Sequence, residues 1–225
     1  MARLIVVSGP NASGKTTLIK KSQPELSRLG YHIIIPDEMV STSATPISDS
    51  VHYGIRKNKN TVFESPLQYE ELIGQVKKFA EAGYQIVLIQ LQLESAGHSA
   101  IRVRQRDHKG GMPIPSKEVK ANFENNFNHI IQYHNIFHQC YFIDSSTMEN
   151  PIIAEINHGR LKFYYPNQSV AIKEMLYQIV MTHGNDKHSL TLLKENKVAG
   201  SLSYKQMNKA LRLMLKLRRP PAKNR

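Results

Sequence analysis

A phosphate-binding motif near the N-terminus constrains this chain more than any other feature. The residues from Gly9 to Thr16, GPNASGKT, match the pattern G-x-x-x-x-G-K-[ST]. The apolar run Arg3–Gly9 that leads into the motif is typical of a buried parallel strand, and a helical pattern follows it. A strand, a glycine-rich turn and a helix in this order predict that backbone N–H groups and the positive end of a helix surround phosphate oxygens.

Each part of the motif has a predicted role at a nucleoside-triphosphate site. The glycines let successive backbone N–H groups turn toward the phosphates, and Lys15 is expected to reach the terminal ones. The hydroxyl group of Thr16 is an expected ligand of Mg²⁺. The predicted nucleotide contacts are Gly9, Pro10, Asn11, Ala12, Ser13, Gly14, Lys15 and Thr16.

Apolar runs alternate with helical patterns along most of the chain. The predicted strands are Arg3–Gly9, Tyr31–Pro36, Asn60–Glu64, Tyr84–Leu91 and Cys140–Asp144. The predicted helices are Leu18–Ser22, followed by a break or restart at Pro24, Ser65–Glu81, Ser95–Asp107 and Lys117–Asn135. The predicted hairpin consists of Ile152–Asn157 and Arg160–Tyr165. Strands that alternate with helices predict an α/β fold, in which a parallel sheet carries helices on both faces.

Two acidic residues occupy the carboxyl ends of predicted strands, where an open parallel sheet binds its ligands. Asp37 follows the second predicted strand, and Glu64 ends the third. A carboxylate beside the γ-phosphate can accept the proton of a substrate hydroxyl or hold Mg²⁺. The alternative for either residue is a helix cap or a solvated loop acid. The fourth strand ends without the aspartate that switch-type nucleotide hydrolases use for Mg²⁺, which favours a small kinase.

Three arginine residues precede a loop rich in glycine and proline. Arg102, Arg104 and Arg106 lead into His108–Pro115, HKGGMPIP, which is not expected to be regular. Arginines beside a flexible loop can neutralise the charge that develops on a transferred phosphoryl group. Alternate positions on a helix spread these side chains over about 200°, so at most one or two of them face one site. Arg102 is the first candidate.

The excess positive charge of the chain is concentrated at its C-terminus. The formal net charge is +12, and residues 201–225 contain eight basic residues and no acidic ones. An apolar stripe and a basic stripe at helical spacing predict an amphipathic helix in this segment. Such a helix packs on the domain, which we favour, or binds nucleic acid or an anionic membrane.

Cysteine content and the length of the apolar runs indicate a cytoplasmic protein. The single cysteine, Cys140, excludes an intrachain disulfide framework. No apolar run approaches the roughly 20 residues that span a bilayer. His134 and His138 are four residues apart, but the glutamate of H-E-x-x-H and a second thiol are missing, so we interpret both as surface or core histidines.

Six segments of the chain, in this order, resemble the zeta-toxin-type kinases. The resemblance covers about residues 1–166 and rests on GPNASGKTTL (9–18), IPDEM (35–39), VFESPL (62–67), EAGYQIVLIQLQLES (81–95), IRVRQRDHKGGMPIP (101–115) and CYFIDSS (140–146). It implies a nucleoside-kinase-like P-loop NTPase fold. It also implies Mg²⁺-dependent phosphorylation of UDP-N-acetylglucosamine or a related nucleotide sugar, with ATP or GTP as the donor.

The same resemblance implies roles for individual residues. Asp37 would be the general base on the sugar hydroxyl, Glu64 would help to position the substrate, and Arg102 would contact the transferred phosphate. Thr17 would contact the nucleotide, and Asp144, Ser145 and Ser146 would form a loop near its base. An antitoxin protein is the partner that the family analogy implies.

Two positions depart from the family pattern. Met112 stands where many relatives have histidine, and Ala121-Asn122 replace a common arginine pair. Lys109 or Lys120 could substitute, although lysine lacks the planar fork of arginine. Three hypotheses therefore remain open: a nucleotide-sugar kinase, a kinase for a nucleic-acid end or another small molecule, and a catalytically impaired nucleotide-binding module.

For the organisation of the chain we predict a P-loop kinase domain over residues 1–166. A helical extension that contains the basic C-terminal helix is predicted for residues 167–225.

Overall fold

A seven-stranded sheet forms the centre of the described part of the molecule. A computed structural model describes residues 1–42, 46–108, 110, 113–147, 151–166, 168–184 and 186–197. The strands are β1 Arg3–Ser8, β2 His32–Ile34, β3 Thr61–Glu64, β4 Gln85–Gln92, β5 Gln139–Asp144, β6 Ile152–Asn157 and β7 Arg160–Tyr164. They lie in the order β2-β3-β1-β4-β5-β6-β7. Strands β1 to β5 are parallel, and the predicted hairpin, β6 and β7, extends the sheet in antiparallel fashion.

Helices cover both faces of this sheet, as the alternation of patterns predicts. They are α1 Lys15–Arg28, α2 Pro36–Thr42, α3 Ile47–Arg56, α4 Glu70–Glu81, α5 Ala96–Asp107, α6 Ser116–Tyr133, α7 Val170–Gly184 and α8 Lys187–Lys194. Successive residues of β1 point to opposite faces: Leu4 and Val6 join a core cluster with α4, α6 and α7, whereas Ile5 and Val7 join one with α1. The predicted α/β fold is therefore confirmed.

Helix α1 runs without interruption through Pro24, so the predicted short helix Leu18–Ser22 with a break or restart at that proline is wrong. A proline inside a helix leaves the carbonyl group four residues earlier without its N–H partner. Here that carbonyl belongs to Lys20, which is exposed to water, as Pro24 is. Ile19 and Leu26 are buried in the core and hold the helix on both sides of the proline.

The chain between β3 and α4 is irregular, although a helix was expected from Ser65. The N–H group of Ser65 donates to the carbonyl oxygen of Val7 over 3.0 Å and so continues the pairing of β3 with β1. Leu67 has a φ of +50°, in the left-handed region that a right-handed helix does not use. The helix therefore begins only at Glu70. Helices α2 and α3, in contrast, have no counterpart among the predicted elements.

Helices α7 and α8 pack into the same core as the sheet. Their buried apolar residues are Ile172, Met175, Leu176, Ile179, Val180, Leu190 and Leu193. The division of the chain at residue 166 stays a prediction, and the predicted basic C-terminal helix lies outside the described residues. None of the helices in the described ranges is long and apolar enough to cross a membrane.

The single cysteine lies on an inner strand of the sheet. Cys140 belongs to β5 and is buried in the core. Burial raises the pKa of its thiol to about 12. The thiol is therefore protonated and shielded at neutral pH.

Candidate active site

The loop between β1 and α1 has a conformation that requires glycine at its first position. Gly9 has a φ of +148°, and a Cβ atom there would lie 2.5 Å from the carbonyl oxygen of Leu91 and 2.6 Å from Oγ of Ser13. Ala12, with a φ of +57°, and Gly14, with a φ of +96°, also adopt left-handed conformations. The loop therefore turns back on itself directly before α1, a geometry that brings backbone N–H groups toward a phosphate.

Helix α5 is attached to this loop by a side-chain hydrogen bond. Oγ of Ser99 donates to the carbonyl oxygen of Asn11 over 2.7 Å. Ser99 is fully buried. The helix that carries the three arginines is thus held against the phosphate-binding loop.

Lys15 lies inside the loop rather than in solvent. Its Nζ donates to the carbonyl oxygens of Gly9, over 3.0 Å, and Pro10, over 3.1 Å. Burial lowers the pKa of Lys15, the negative charges of Glu64 and Asp37 oppose this shift, and the positive charge of Arg106 adds to it. The ammonium group is therefore placed where phosphate oxygens can replace the two carbonyl oxygens.

Glu64, at the end of β3, meets Thr16 in the first turn of α1. The hydroxyl group of Thr16 donates to both carboxylate oxygens of Glu64, over 3.0 Å to Oε1 and 2.9 Å to Oε2. Glu64 is the last residue of β3, opposite Val7 of β1, and only 5% of its surface is exposed. Burial raises the pKa of Glu64, whereas the charge of Lys15 and the hydrogen bond from Thr16 lower it.

Asp37 lies in the first turn of α2, just beyond the end of β2. Its side chain is exposed, unlike that of Glu64. Its negative charge acts on both Lys15 and Glu64. The two acidic residues that the sequence singles out are therefore brought together with the lysine of the motif, at the carboxyl ends of β1, β2 and β3.

The arginines of α5 have different surroundings. Nη2 of Arg102 donates to the carbonyl oxygen of Ser146 over 3.3 Å, in the loop after β5. Arg106 is the arginine whose charge lowers the pKa of Lys15. Sequence reasoning favoured Arg102 for the transferred phosphate, and periodicity alone contained no signal that would have selected Arg106.

A cavity of about 230 Å³ lies beside the phosphate-binding loop, between α1, α5 and the ends of β4 and β5. It is lined by Ser13, Gly14, Thr17, Leu18, Lys21, Leu91, Arg102, Ile143, Ser145 and Thr147. The hydroxyl groups of Ser13 and Ser145 are buried and have no hydrogen-bond partner among the described residues. Buried polar groups without partners call for a ligand or water, because leaving them unpaired costs about 1–3 kcal/mol each.

Asp144 does not line this cavity. Its Oδ1 accepts a hydrogen bond from the N–H group of Ser146 over 2.8 Å and so shapes the loop after β5. The N–H group of Ser145 donates to the carbonyl oxygen of Gln92 over 2.8 Å. Ser145, which the resemblance matched to a loop near the base, and Thr147 both line the cavity, and the hydroxyl group of Ser145 is buried without a partner among the described residues.

A buried amide connects α6 with the ends of β1, β3 and β4. Nδ2 of Asn126 donates to Oγ of Ser8 over 3.0 Å and to the carbonyl oxygen of Pro66 over 2.5 Å. Its Oδ1 accepts from Nε2 of Gln90 over 2.6 Å. Asn126 is fully buried. Sequence reasoning missed it, because an asparagine in a helical pattern gives no sign of three tertiary partners.

The positions that depart from the family pattern also have definite surroundings on α6. Asn122 is 4% exposed and faces inward, one turn before Asn126, whereas Ala121 is exposed. Lys120 is exposed and lies 3.8 Å from a carboxylate oxygen of Glu124, on the outer surface of the helix. Met112 and Lys109 lie outside the described residues.

The paired histidines have protein partners. Nε2 of His134 lies 3.0 Å from Oγ1 of Thr182, and Nδ1 of His138 accepts from the N–H group of Ile86 over 3.1 Å. Within the described ranges no group of three or more His, Cys, Asp or Glu side chains is placed to hold a metal ion.

Comparison with solved structures identifies the fold. No family model matches the sequence, and no curated protein is significantly similar to it. A chain of the PezAT chromosomal toxin-antitoxin system of Streptococcus pneumoniae aligns with 96% of this chain and 85% of its own length, with a TM-score of 0.53 and 14% identity. The chain has an α/β P-loop NTPase fold. At this identity the likeness shows the fold alone, and it agrees with the fold that the resemblance to zeta-toxin-type kinases implies.

Two further structures align less well. The complex of AvrRxo1-ORF1 with AvrRxo1-ORF2, solved with sulphate ions, contains a chain with a TM-score of 0.47 and 15% identity, over 96% of this chain and 81% of that one. A gluconokinase from Sinorhizobium meliloti 1021 has a TM-score of 0.38 and 14% identity, over 86% of this chain and 97% of that one. These values are too low to add to the fold assignment.

Proposed function

We propose that this chain is a P-loop kinase that transfers the γ-phosphoryl group of ATP or GTP to a hydroxyl group. The observation that supports the proposal is the convergence of Lys15 with the carboxylates of Glu64 and Asp37 beside the phosphate-binding loop. Phosphoryl transfer to a hydroxyl uses a cation that binds the phosphates and a carboxylate base that accepts the proton of the acceptor.

In the proposed reaction Lys15 leaves the carbonyl oxygens of Gly9 and Pro10 and binds the terminal phosphates. The hydroxyl oxygen of Thr16 fits as a ligand of Mg²⁺, which would neutralise phosphate charge. The exposed carboxylate of Asp37 accepts the proton of the acceptor hydroxyl as that oxygen bonds to the γ-phosphorus. The bond from the γ-phosphorus to its bridging oxygen breaks, and the nucleoside diphosphate leaves.

We assign the nucleoside of the donor to the cavity beside the loop. Arg102 and the hydroxyl groups of Ser13, Thr17 and Ser145 line it, which suits the polar edge of a base and a ribose. In this arrangement Arg102 contacts the nucleoside end of the donor. Arg106 is the better candidate for the transferred phosphate, because its charge acts on Lys15.

For the acceptor we propose a nucleotide sugar such as UDP-N-acetylglucosamine. This choice rests on the resemblance to zeta-toxin-type kinases carried by residues 1–166. The PezAT structure with the same fold comes from a toxin-antitoxin system, and we extend the proposal to an antitoxin protein as partner. Growth arrest on induced expression, relieved by Lys15→Ala, is the expected sign of a toxic kinase.

The test of the function is a phosphorylation screen of the full chain. Radiolabelled ATP and GTP are offered with nucleotide sugars, nucleosides and oligonucleotides in the presence of Mg²⁺. Transfer to a nucleotide sugar is expected, and it should be lost in Asp37→Asn but kept in Asp49→Asn, which alters an exposed acid at the start of α3. Triphosphate binding without transfer to any acceptor would support the impaired nucleotide-binding module instead.

A nucleic-acid end is the second candidate acceptor, because of the charge of the C-terminal segment. Residues 201–225 carry eight basic residues and no acidic ones, and a basic segment attracts phosphodiester backbones. Removing the residues after 200 should abolish phosphorylation of oligonucleotide ends if they are the substrate. Phosphorylation of a nucleotide sugar should persist in the same truncated protein.

A further inference from the structure

Helix α5, which carries three arginines beside the candidate site, has few buried residues. Of its twelve residues, Ser99 and Val103 are the buried ones. The helix packs chiefly against α6 rather than on the sheet. The position of an element with so few buried contacts depends strongly on each contact that it has.

Ser99, one of the two buried residues of α5, is bonded to the phosphate-binding loop. Its Oγ donates to the carbonyl oxygen of Asn11 over 2.7 Å, and the residue is fully buried. A serine inside a helix commonly donates instead to a carbonyl oxygen of its own preceding turn. Here its single hydroxyl proton goes to a residue 88 positions away in the sequence. The side chain of Ser99 therefore attaches α5 to the loop.

A serine at this buried position contributes little to stability. Burying a hydroxyl group costs free energy that one neutral hydrogen bond largely offsets and does not greatly exceed. An alanine side chain is smaller and avoids this cost. The hydroxyl group of Ser99 is therefore better explained by what it positions than by what it stabilises.

The place of Ser99 on α5 decides which side chains the hydrogen bond positions. Residues i, i+3 and i+7 lie on one face of an α-helix, so Ser99, Arg102 and Arg106 share a face. Arg104, five residues after Ser99, lies on the opposite side. Arg102 lines the cavity beside the loop, and the charge of Arg106 acts on Lys15. The face of α5 that is bonded to the loop is therefore the face of these two arginines.

The spacing along the helix makes Arg106 the more sensitive of the two. Arg106 lies seven residues beyond Ser99, which is about 10 Å at a rise of 1.5 Å per residue. A tilt of α5 by about 10° at Ser99 would move the backbone at Arg106 by about 2 Å. A misplacement of about 1 Å in a reacting complex is enough to lower a rate strongly. Arg102 is only three residues from Ser99 and would move less.

The phosphate-binding loop is a firm point of attachment, because it has hydrogen bonds of its own. The N–H group of Ser13 donates to the carbonyl oxygen of Pro10 over 3.2 Å. The N–H group of Leu18 donates to the carbonyl oxygen of Gly14 over 2.9 Å. Loss of the Ser99 hydroxyl group should therefore release α5 and leave the loop in its conformation.

We propose that Ser99 is a positioning residue, which holds Arg106 at the site of phosphoryl transfer through its hydrogen bond to the phosphate-binding loop. This inference rests on the proposed function, in which Arg106 is the candidate for the transferred phosphate. Ser99 acts through Arg106 and forms no bond to either substrate. Its hydrogen bond sets the distance between the helix and the loop.

Initial-rate kinetics of the full chain compare two serines of the same helix, with ATP, Mg²⁺ and UDP-N-acetylglucosamine. Ser99→Ala should lower kcat by about three- to tenfold, the effect of one lost hydrogen bond, with the KM for ATP little changed. Ser95→Ala is the matched control, because Oγ of Ser95 caps α5 by accepting from the N–H group of His98 over 3.1 Å. It should lower the melting temperature and leave kcat unchanged. Wild-type kcat in Ser99→Ala would overturn the inference.

A double substitution tests whether Ser99 acts through Arg106. In the Arg106→Ala protein, Ser99→Ala should cause little further loss of kcat, because the group that it positions is already gone. Ser99→Thr keeps the hydroxyl group and should retain most of the wild-type kcat. If the effects of the two alanine substitutions multiply, Ser99 acts by another route and the inference is wrong.

Distances between spin labels give a readout that needs no acceptor. Arg104→Cys on α5 and Lys20→Cys on α1 place nitroxide labels at exposed positions, and the natural Cys140 is buried. In the complex with ADP, double electron–electron resonance should show a wider distribution of distances after Ser99→Ala. Ser95→Ala should keep the narrow distribution. The same distribution with and without the Ser99 hydroxyl group would show that this group does not hold α5.

The two readouts separate this inference from the proposed function. A wider distribution of distances in Ser99→Ala, without transfer to any acceptor, would confirm that Ser99 positions α5 and refute the kinase. Transfer with wild-type kcat in Ser99→Ala would support the kinase and remove Ser99 from its positioning role.

Discussion

The carboxyl edge of the sheet divides into a charged region and a neutral region. At the ends of β1, β2 and β3 the buried Lys15 and Glu64 lie close enough to act on each other's pKa. At the ends of β4 and β5 the buried polar residues are uncharged: Gln90, Gln92 and Ser145. Both regions flank the same phosphate-binding loop.

The difference indicates where charge changes during the proposed reaction. Burying a charged group is costly unless it is paired, so a protein keeps buried charges where they act on a ligand. Buried amides and hydroxyls cost less and fix positions through directed hydrogen bonds. We therefore expect substitutions in the charged region to lower the rate, and substitutions in the neutral region to alter stability or donor binding.

Among the substitutions in the charged region, Asp37→Asn should lower kcat the most. Loss of a general base lowers kcat by about 10²–10⁴-fold, while the affinity for the triphosphate should remain. Steady-state kinetics and equilibrium binding of ATP measure the two quantities. Glu38→Gln, which changes the adjacent acid that pairs with Lys20, is the matched control. An unchanged kcat in Asp37→Asn would remove this residue from catalysis.

Lys15→Ala should have the second-largest effect on kcat. Removing one group that stabilises transition-state charge costs about 10²–10³-fold in kcat, and binding of the triphosphate should weaken as well. Lys20→Ala, on the exposed side of the same helix, should change neither. A Lys15→Ala variant with wild-type turnover would show that the buried ammonium group is structural.

Asn126→Leu tests the stability of the neutral region, because Asn126 of α6 accepts a hydrogen bond from Gln90. The substitution leaves Ser8, Gln90 and the carbonyl group of Pro66 without their partner, so the free energy of unfolding should fall by about 2–4 kcal/mol. Urea unfolding followed by circular dichroism measures the change. Gln92→Leu removes a buried amide whose Nε2 contacts Sδ of Met175, and we expect a smaller loss. If both substitutions lower the free energy of unfolding equally, the three hydrogen bonds of Asn126 contribute no additional stability.

Two arginines of α5 allow the two regions to be tested on one helix. The charge of Arg106 acts on Lys15 of the charged region, whereas Arg102 lines the cavity beside the neutral region. Arg106→Ala should lower kcat, and Arg102→Ala should raise the KM for ATP, each by about tenfold, the effect of one lost charge-assisted hydrogen bond. Full initial-rate kinetics distinguish the two patterns. If Arg102→Ala lowers kcat instead, the contact with Ser146 breaks on nucleotide binding and the original assignment of Arg102 to the transferred phosphate holds.

Ser145→Ala should give the smallest effect. Losing one neutral hydrogen bond of about 0.5–1.5 kcal/mol raises the KM for the donor a few-fold and leaves kcat unchanged. Ser146→Ala is the control, because the hydroxyl group of Ser146 accepts from the N–H group of Glu94. A comparison of ATP with GTP in both variants would show whether Ser145 contacts the base.

Much of the charged region could be predicted from the sequence, because its residues lie in or directly after strands. The motif from Gly9 to Thr16 specifies its own geometry, and Glu64 could be placed because it ends a strand that pairs with β1. Helix α5 was also predicted well, since Ser95 caps its first turn by accepting from the N–H group of His98 over 3.1 Å.

The neutral region could not be predicted, because its contacts join residues that are far apart in the chain. Asn126 and Ser8 are 118 positions apart in the sequence, and a local sequence pattern cannot predict a contact between residues so far apart. The predicted interruption at Pro24 is wrong for a related reason. Packing of α1 against the core stabilises the helix by more than the proline on its exposed face destabilises it. Gly9 and Leu91 illustrate the same limit, since their close approach depends on the pairing of β1 with β4.

The buried thiol of Cys140 has a practical consequence for labelling this molecule. It is the single cysteine of the chain, and its raised pKa and its burial protect it from alkylating reagents at neutral pH. A new cysteine at the exposed position of Arg104 would therefore take up a maleimide fluorophore selectively, without first removing the natural one. Fluorescence from that label would report binding of a nucleotide beside α5 in real time.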